Sequence, residues 1–396
     1  MLLLVASLLV YLPAQETLTL EVDAGERPGE AAIVSWELPD TLRGAGTLKL
    51  FQWVNEHMGR PVPAQADAGD PPRLWWIARR GARYEVATGS DHDAPREPTV
   101  RVHELEGRLS VQARGFELLA FRQETVAPPA GVDALHARSG YLHPVRAPSG
   151  RIVTGDFPAA HRHHHGIWFP WTRTLFEGRA VDFWNSATKQ GKVECIGVDE
   201  VGGGPVFAWF VARQEHVDLT APEGPRDALE ETWRVRAFDH PDATVFDLES
   251  VQSCATDSPL EVLEYHYGGL AFRGPETWEG ADGATFLTSE GMGRLDGDAT
   301  RARWCAVTGE IAGKPATLAV LGHPENFRAP QPLRLHPAEP YLCWAPGQLG
   351  PFEIRPGEPY VSRFRFVVLD GPADAERFES MWRAYANPPA VRVVED

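Results

Sequence analysis

Four histidines fall within five positions of this chain, His161-Arg162-His163-His164-His165, and Gly166-Ile167-Trp168-Phe169 follow at once. Imidazole is the side chain that titrates nearest neutral pH and the commonest metal ligand, so the run concentrates acid–base or metal chemistry. It lies inside the chain beside apolar residues, which makes it part of the fold rather than an appended tag. In an extended segment His163 and His165 share one face and His164 takes the other, so two or three rings at most converge. Gly155-Asp156-Phe157-Pro158 leads into the run, and Trp168, Trp171 and Val181-Asp182-Phe183-Trp184-Asn185 come after it.

Two further constellations carry polar residues. Glu264-Tyr265-His266-Tyr267-Gly268-Gly269 reads as a strand with Glu264, His266 and Gly268 on one face, so a carboxylate and an imidazole reach one cleft, and the paired glycines admit a close backbone or substrate. Arg273 follows, placed to hold a hydroxyl or a carboxylate. His323-Pro324-Glu325-Asn326-Phe327 ends an apolar strand, with His323 placed to rejoin the cleft.

Three functions remain open on these residues. In the first, His163 and His266 carry protons in acid–base chemistry on a sugar or glycoside, and Glu264 and Asp182 orient or charge the rings. Trp168 and Trp184 give the sugar a flat platform, while His164, Asn185, Arg273 and His323 bind its hydroxyls. This chemistry requires no cofactor. In the second, His161, His163, His165 and Asp156 hold a divalent metal, and zinc or calcium then shifts the reaction toward hydrolysis or β-elimination. In the third, the chain is a non-catalytic sugar-binding or scaffold module. No Gly-x-Ser-x-Gly elbow, P-loop, His-Glu-x-x-His helix or dinucleotide fingerprint is present.

The elements that position these residues read as strand after strand. Short β-favouring runs such as Thr47–Trp53, Leu74–Ala78, Thr232–Phe238, Thr244–Ser250, Leu260–Tyr267 and Val361–Leu369 are separated by Gly, Pro and Asp clusters. Glu106-Gly107 and Arg114-Gly115 read as tight hairpin connections. One helix is expected over 373–387, where Phe378, Met381, Trp382 and Tyr385 form an apolar stripe and Asn387-Pro388-Pro389 stops it. The fold class is all-β, an antiparallel β-supersandwich with one C-terminal helix, and the 396 residues suit one large or two ordinary domains.

The expected division is a signal peptide at 1–14, a small N-terminal β-domain at 15–115 and the supersandwich at 116–396. The apolar run Leu2–Leu12 is too short to span a bilayer and precedes a cleavage point after Ala14, so export to the periplasm or the extracellular space is expected, with no membrane attachment after cleavage. The 38 Lys and Arg against 55 Asp and Glu leave a net charge of −17, which argues against a nucleic-acid partner. Cys195, Cys254, Cys305 and Cys343 form no Cys-x-x-Cys pair and read as buried free thiols.

As a set, Gly155-Asp156-Phe157-Pro158, His163-His164-x-Gly166-Ile167-Trp168-Phe169, Asp182-Phe183-Trp184, Tyr265-His266-Tyr267-Gly268-Gly269, Arg303-Trp304-Cys305 and Arg355-Pro356-Gly357-Glu358 resemble a bacterial family labelled "methane oxygenase PmoA". The resemblance spans about residues 15–387. The family pattern has Arg where this chain has His165, and Asp where it has Ala160. A membrane methane monooxygenase subunit needs several spanning helices, and no stretch here has that length. The tail Pro356-Gly357-Glu358-Pro359-Tyr360 and the strand after it are similar to the ending of galactose-mutarotase-like supersandwiches, which implies that fold and a sugar-binding cleft.

Overall fold

A computed structural model describes residues 17–44, 47–55, 57–89 and 99–394. The expected signal segment, 1–14, lies outside the described residues. The chain divides into two compact units: residues up to 96 together with 388–396, and residues 97–387.

In the first unit, Arg73–Arg79 buries Leu74, Trp76 and Ala78 on one face, the period of two expected of a half-buried strand. It pairs with Ala31–Glu37 and Ala64–Ala66 in a three-stranded sheet. A five-stranded antiparallel sheet runs in the order Val391–Val394, Thr17–Val22, Arg83–Gly89, Thr47–Val54, His57–Val62. Leu20, Val22, Val34, Leu50, Leu74, Trp76, Tyr84 and Val86 form its core.

The second unit is a sandwich of antiparallel sheets. One eight-stranded sheet runs Leu333–Leu335, Tyr341–Trp344, Ala271–Arg273, Ile167–Trp168, Tyr141–Val145, Phe116–Arg122, Arg108–Ala113, Val100–Leu105. The other runs Gly191–Gly202, Phe207–Asp218, Arg226–Phe238, Thr244–Cys254, Tyr360–Asp370, Lys314–Gly322, Trp304–Ile311, Ala284–Thr288. Phe121, Leu142, Ile167 and Phe272 of the first meet Phe210, Trp233, Phe246, Leu318 and Phe364 of the second in one apolar core. The all-β supersandwich read from the sequence is what forms.

The boundary expected at 115/116 moves toward the N-terminus. Val100–Leu105 pairs with Arg108–Ala113, which in turn pairs with Phe116–Arg122 across a bulge, so both belong to the sandwich. At the other end, Val391–Val394 leaves the sandwich and joins the first unit's sheet. The helix forms at Ala375–Ala386, capped by the Asp374 carboxylate, which accepts from Arg377 N at 3.0 Å. Its Phe378 packs on Trp304, with ring centroids 5.6 Å apart. Among the described residues no helix is long and apolar enough to cross a membrane. All four cysteines are free thiols, Cys305 and Cys343 buried and Cys195 and Cys254 half-buried.

The histidine run sits on a loop that leaves and re-enters the first eight-stranded sheet. Gly166 N donates to Gly155 O, Gly155 N to Arg273 O, and Arg273 N to Gly166 O, each at 2.8 Å. A Cβ on Gly166 would lie 2.0 Å from the Leu142 carbonyl oxygen, so the backbones approach this closely only because that residue has no side chain.

Candidate functional site

Strand register sets which side chains share a face of this sheet. Trp168 pairs with Ala271, Ala271 with Cys343, and Cys343 with Arg334, while Ile167, Phe272 and Leu342 alternate into the core. On the face away from that core, Tyr141, Trp168, Trp184 and Tyr341 pack as a second aromatic cluster. The expectation that Trp168 and Trp184 form an open sugar platform is corrected here. Their exposures are 0% and 2%, and they are the base on which the histidines rest.

The imidazoles are layered on that base. His164 stacks on Tyr341 at 5.0 Å, His161 stacks on His164 at 4.8 Å, and His163 meets both edge-on. His161 keeps 37% of its side chain exposed. His165 turns into the sheet: its Nδ1 lies 2.7 Å from Asp156 Oδ1, and Tyr141 OH donates to Asp156 Oδ2 at 2.8 Å.

The carboxylate that completes the layer is Glu339, which the sequence reading passed over. One oxygen lies 2.7 Å from His161 Nδ1, off the line of an ideal N–H···O bond. The other accepts from Arg273, a fully buried guanidinium that also pairs with Glu279 at 2.5 Å. Arg273 therefore holds carboxylates of the chain itself rather than facing a substrate hydroxyl. The available signal was Pro337-Ala338-Glu339-Pro340, a carboxylate stiffened between two prolines beside Tyr341.

Electrostatics separate the members. Burial pushes the Glu339 carboxyl up, but the contact with His161 and the charge of Arg273 outweigh it and hold the group at about 2. Burial, then the neighbouring His161, lowers His163 to about 3. Burial also leads in lowering His164 well below the ordinary histidine value and in lowering His165 despite its Asp156 partner. At neutral pH an ionised carboxylate thus stands at the edge of a layer in which His163 and His164 are kept uncharged. His163, expected as a proton carrier, is held there as a neutral ring.

The other expected members are placed differently. Asp182 accepts from the backbone N–H groups of Trp184 (2.8 Å) and Asn185 (3.0 Å) and from Asn185 Nδ2 (2.6 Å), so it fixes a turn instead of orienting an imidazole. Asn185 also donates to Tyr267 OH at 3.1 Å, and Tyr267 packs on Trp184. Residues 263–270 are not a strand, so Glu264, His266 and Gly268 share no face. Glu264 and His266 are exposed, and the His266 ring packs on its neighbours Tyr265 and Tyr267 rather than on His163. His323 lies apart, against Tyr385 of the helix at 5.2 Å.

The metal set expected from sequence, His161, His163, His165 and Asp156, does not assemble, because His165 and Asp156 are spent on each other. Among the described residues, the group with donor atoms within 4.8 Å of one another is His161, His164 and Glu339. Two imidazoles and a carboxylate form a donor set that suits zinc or ferrous iron. The ring geometry does not suit it: His161 and His164 are stacked within 10° of parallel, and an ion bound by both must lie in both ring planes. In these rotamers no one position does.

Residues 108–383 match the model of a family of unknown function, DUF6807. The chain belongs to that family. Among curated proteins none matches it. Similar solved structures include a protein in the glycosyl hydrolase family 38 from Enterococcus faecalis, at 11% identity and TM-score 0.44, covering 96% of this DUF6807 chain and 47% of that one. An α-mannosidase from Enterococcus faecalis V583 gives 11% identity and TM-score 0.42, covering 96% and 46%. A galactose mutarotase related enzyme from Lactobacillus acidophilus gives 9% identity and TM-score 0.25, covering 69% and 99%. The DUF6807 chain thus spans about half the length of the two glycosidase chains, and likenesses this loose bear on none of the chemistry below.

Proposed function

We propose that this DUF6807 protein is an exported carbohydrate-active enzyme that moves a proton on a sugar at the His161–Glu339 pair. The observation that carries the reading is Glu339, kept ionised between a buried arginine and the most open imidazole of the layer. A carboxylate at Nδ1 favours the tautomer protonated there, which leaves Nε2 as a lone pair and stabilises the imidazolium once Nε2 gains a proton.

The step this supports is opening of a hemiacetal ring. His161 Nε2 takes the proton of the anomeric hydroxyl, the bond from the anomeric carbon to the ring oxygen breaks, and the same proton passes to that oxygen. An open-chain aldehyde results, with His161 restored, and it recloses on either face. His163, neutral at the pH of the reaction, supplies an N–H to the oxygen that gains charge. Asn185 and Tyr267, joined by their hydrogen bond and half-buried, are placed to bind hydroxyls. The methane-oxygenase label remains a resemblance of motifs and supplies no step.

Anomeric exchange, followed by magnetisation-transfer NMR on a panel of free aldoses, tests the proposal. Glu339→Gln and His161→Ala should each lower the rate by about 10²–10⁴-fold with melting temperature retained. Full exchange in both variants overturns the assignment, and sugar binding without exchange in the intact chain turns the protein into a binding module.

A further inference from the structure

A cavity of about 240 Å³ lies away from the histidine layer, lined by Trp344, Trp382, Pro324, Pro330, Arg303 and His323 among others. Trp344 ends the strand Tyr341–Trp344, in which Tyr341 and Cys343 face the aromatic floor and Leu342 and Trp344 the opposite side. The cavity and the histidines therefore flank one strand from its two faces. Trp382 closes the cavity from the helix, its indole fixed by a hydrogen bond to Gly322 O at 2.9 Å and by the Arg303 guanidinium lying 5.2 Å from its ring centroid.

The polar groups restrict what enters. Arg303 is already paired with Glu290 at 3.1 Å and Glu379 at 3.2 Å, so its charge is met within the chain and an anionic ligand gains little from it. His323 Nδ1 accepts from Glu325 N at 3.2 Å, which puts the ring proton on Nε2 and makes that nitrogen a neutral donor. Asn326 and Gln331 also line it, but the Asn326 amide is bonded to the Arg363 backbone and Gln331 Nε2 donates to Phe327 O at 2.8 Å; the rest of the wall is indole, proline, alanine and glycine. A cavity of ~150 Å³ with apolar walls takes up benzene, so this one has room for a ring with a substituent.

We propose that this cavity is a second small-molecule site, for an uncharged aromatic ring carrying one acceptor oxygen. The ring packs against the indoles of Trp344 and Trp382, and the oxygen accepts from His323 Nε2. The site is independent of the sugar chemistry, since its residues take no part in the His161–Glu339 pair.

Saturation-transfer NMR and tryptophan fluorescence with benzyl alcohol, cyclohexylmethanol, benzoate and toluene as probes test it on the full chain. Benzyl alcohol should bind at least tenfold tighter than cyclohexylmethanol or benzoate. Ala329→Phe, which fills the cavity from its loop, should abolish the signal. His323→Ala should weaken benzyl alcohol at least fivefold and leave toluene unchanged, which a general loss of folding would not do. The proposal is overturned if benzyl alcohol gives no signal with the intact chain, if benzoate binds as well, or if both variants bind benzyl alcohol as the parent does.

Discussion

Glu339 and His163 show what a single residue contributes once its surroundings are known. Glu339 is buried and His163 half-buried at the histidine layer, yet the contact with His161 and the charge of Arg273 keep one ionised while burial keeps the other neutral. Neither state can be read from residue type. The histidine run was legible as a functional cluster because four imidazoles in five positions are hard to place otherwise. Its carboxylate partner was not, because it arrives from a loop more than a hundred residues later. His266 and Glu264 failed because the strand ends at Val262, before either of them, and the chain runs on irregularly through Gly268 and Gly269, both at positive φ, 120° and 125°. The parallel stacking of His161 and His164 gives a prediction at this scale. Protein purified without chelators should hold a divalent ion at a molar ratio near zero by elemental analysis. One equivalent that disappears in His164→Ala would mean that one ring turns, and would replace the proton shuttle with metal chemistry.

Among the elements, turns were easier to anticipate than strand partners. Glu106-Gly107 and Arg114-Gly115 both form hairpins, and all four residues adopt left-handed backbone angles, with φ between 41° and 82°. That is the geometry of two-residue hairpin turns, which the glycine of each dipeptide favours. Pairing between distant strands was invisible, since an alternating pattern specifies a face and not a neighbour. The strand Ile167–Trp168 is the extreme case: two residues long, it is held by Tyr141–Val145 on one side and Ala271–Arg273 on the other. Its position depends on Gly166, so Gly166→Ala should cost roughly 3 kcal/mol or more in urea unfolding by forcing the backbones apart. A shift in midpoint within experimental error would show that the sheet absorbs the methyl group, and that the histidine loop is less tightly anchored than the hydrogen bonds around Gly155 imply.

For the whole molecule, the neutral histidines couple folding to pH. His143, His163, His164 and His165 all titrate below the ordinary value of about 6.5, His143 at about 4 and His163 at about 3. Below that value the unfolded chain binds protons that the folded chain refuses, so stability falls as pH drops. Each histidine contributes a slope of about 1.4 kcal/mol per pH unit between its unfolded and folded values. Urea unfolding at stepped pH should therefore show a plateau above pH 7 and a steep decline from pH 6 toward 4. A flat profile from 7 to 5 would contradict the burial of the cluster.

The strand Val391–Val394 lies beside Thr17–Val22 in one sheet, although roughly 370 residues of chain separate them. A ribosome adding about 5–20 residues per second needs about 20–75 s to deliver the second after the first. During that interval the earlier strand has an unfilled hydrogen-bonding edge, open to any extended peptide nearby. Biosynthesis thus reverses the usual order: the unit begun first is the last to be finished, and a chaperone that shields extended backbone would have its natural point of action there.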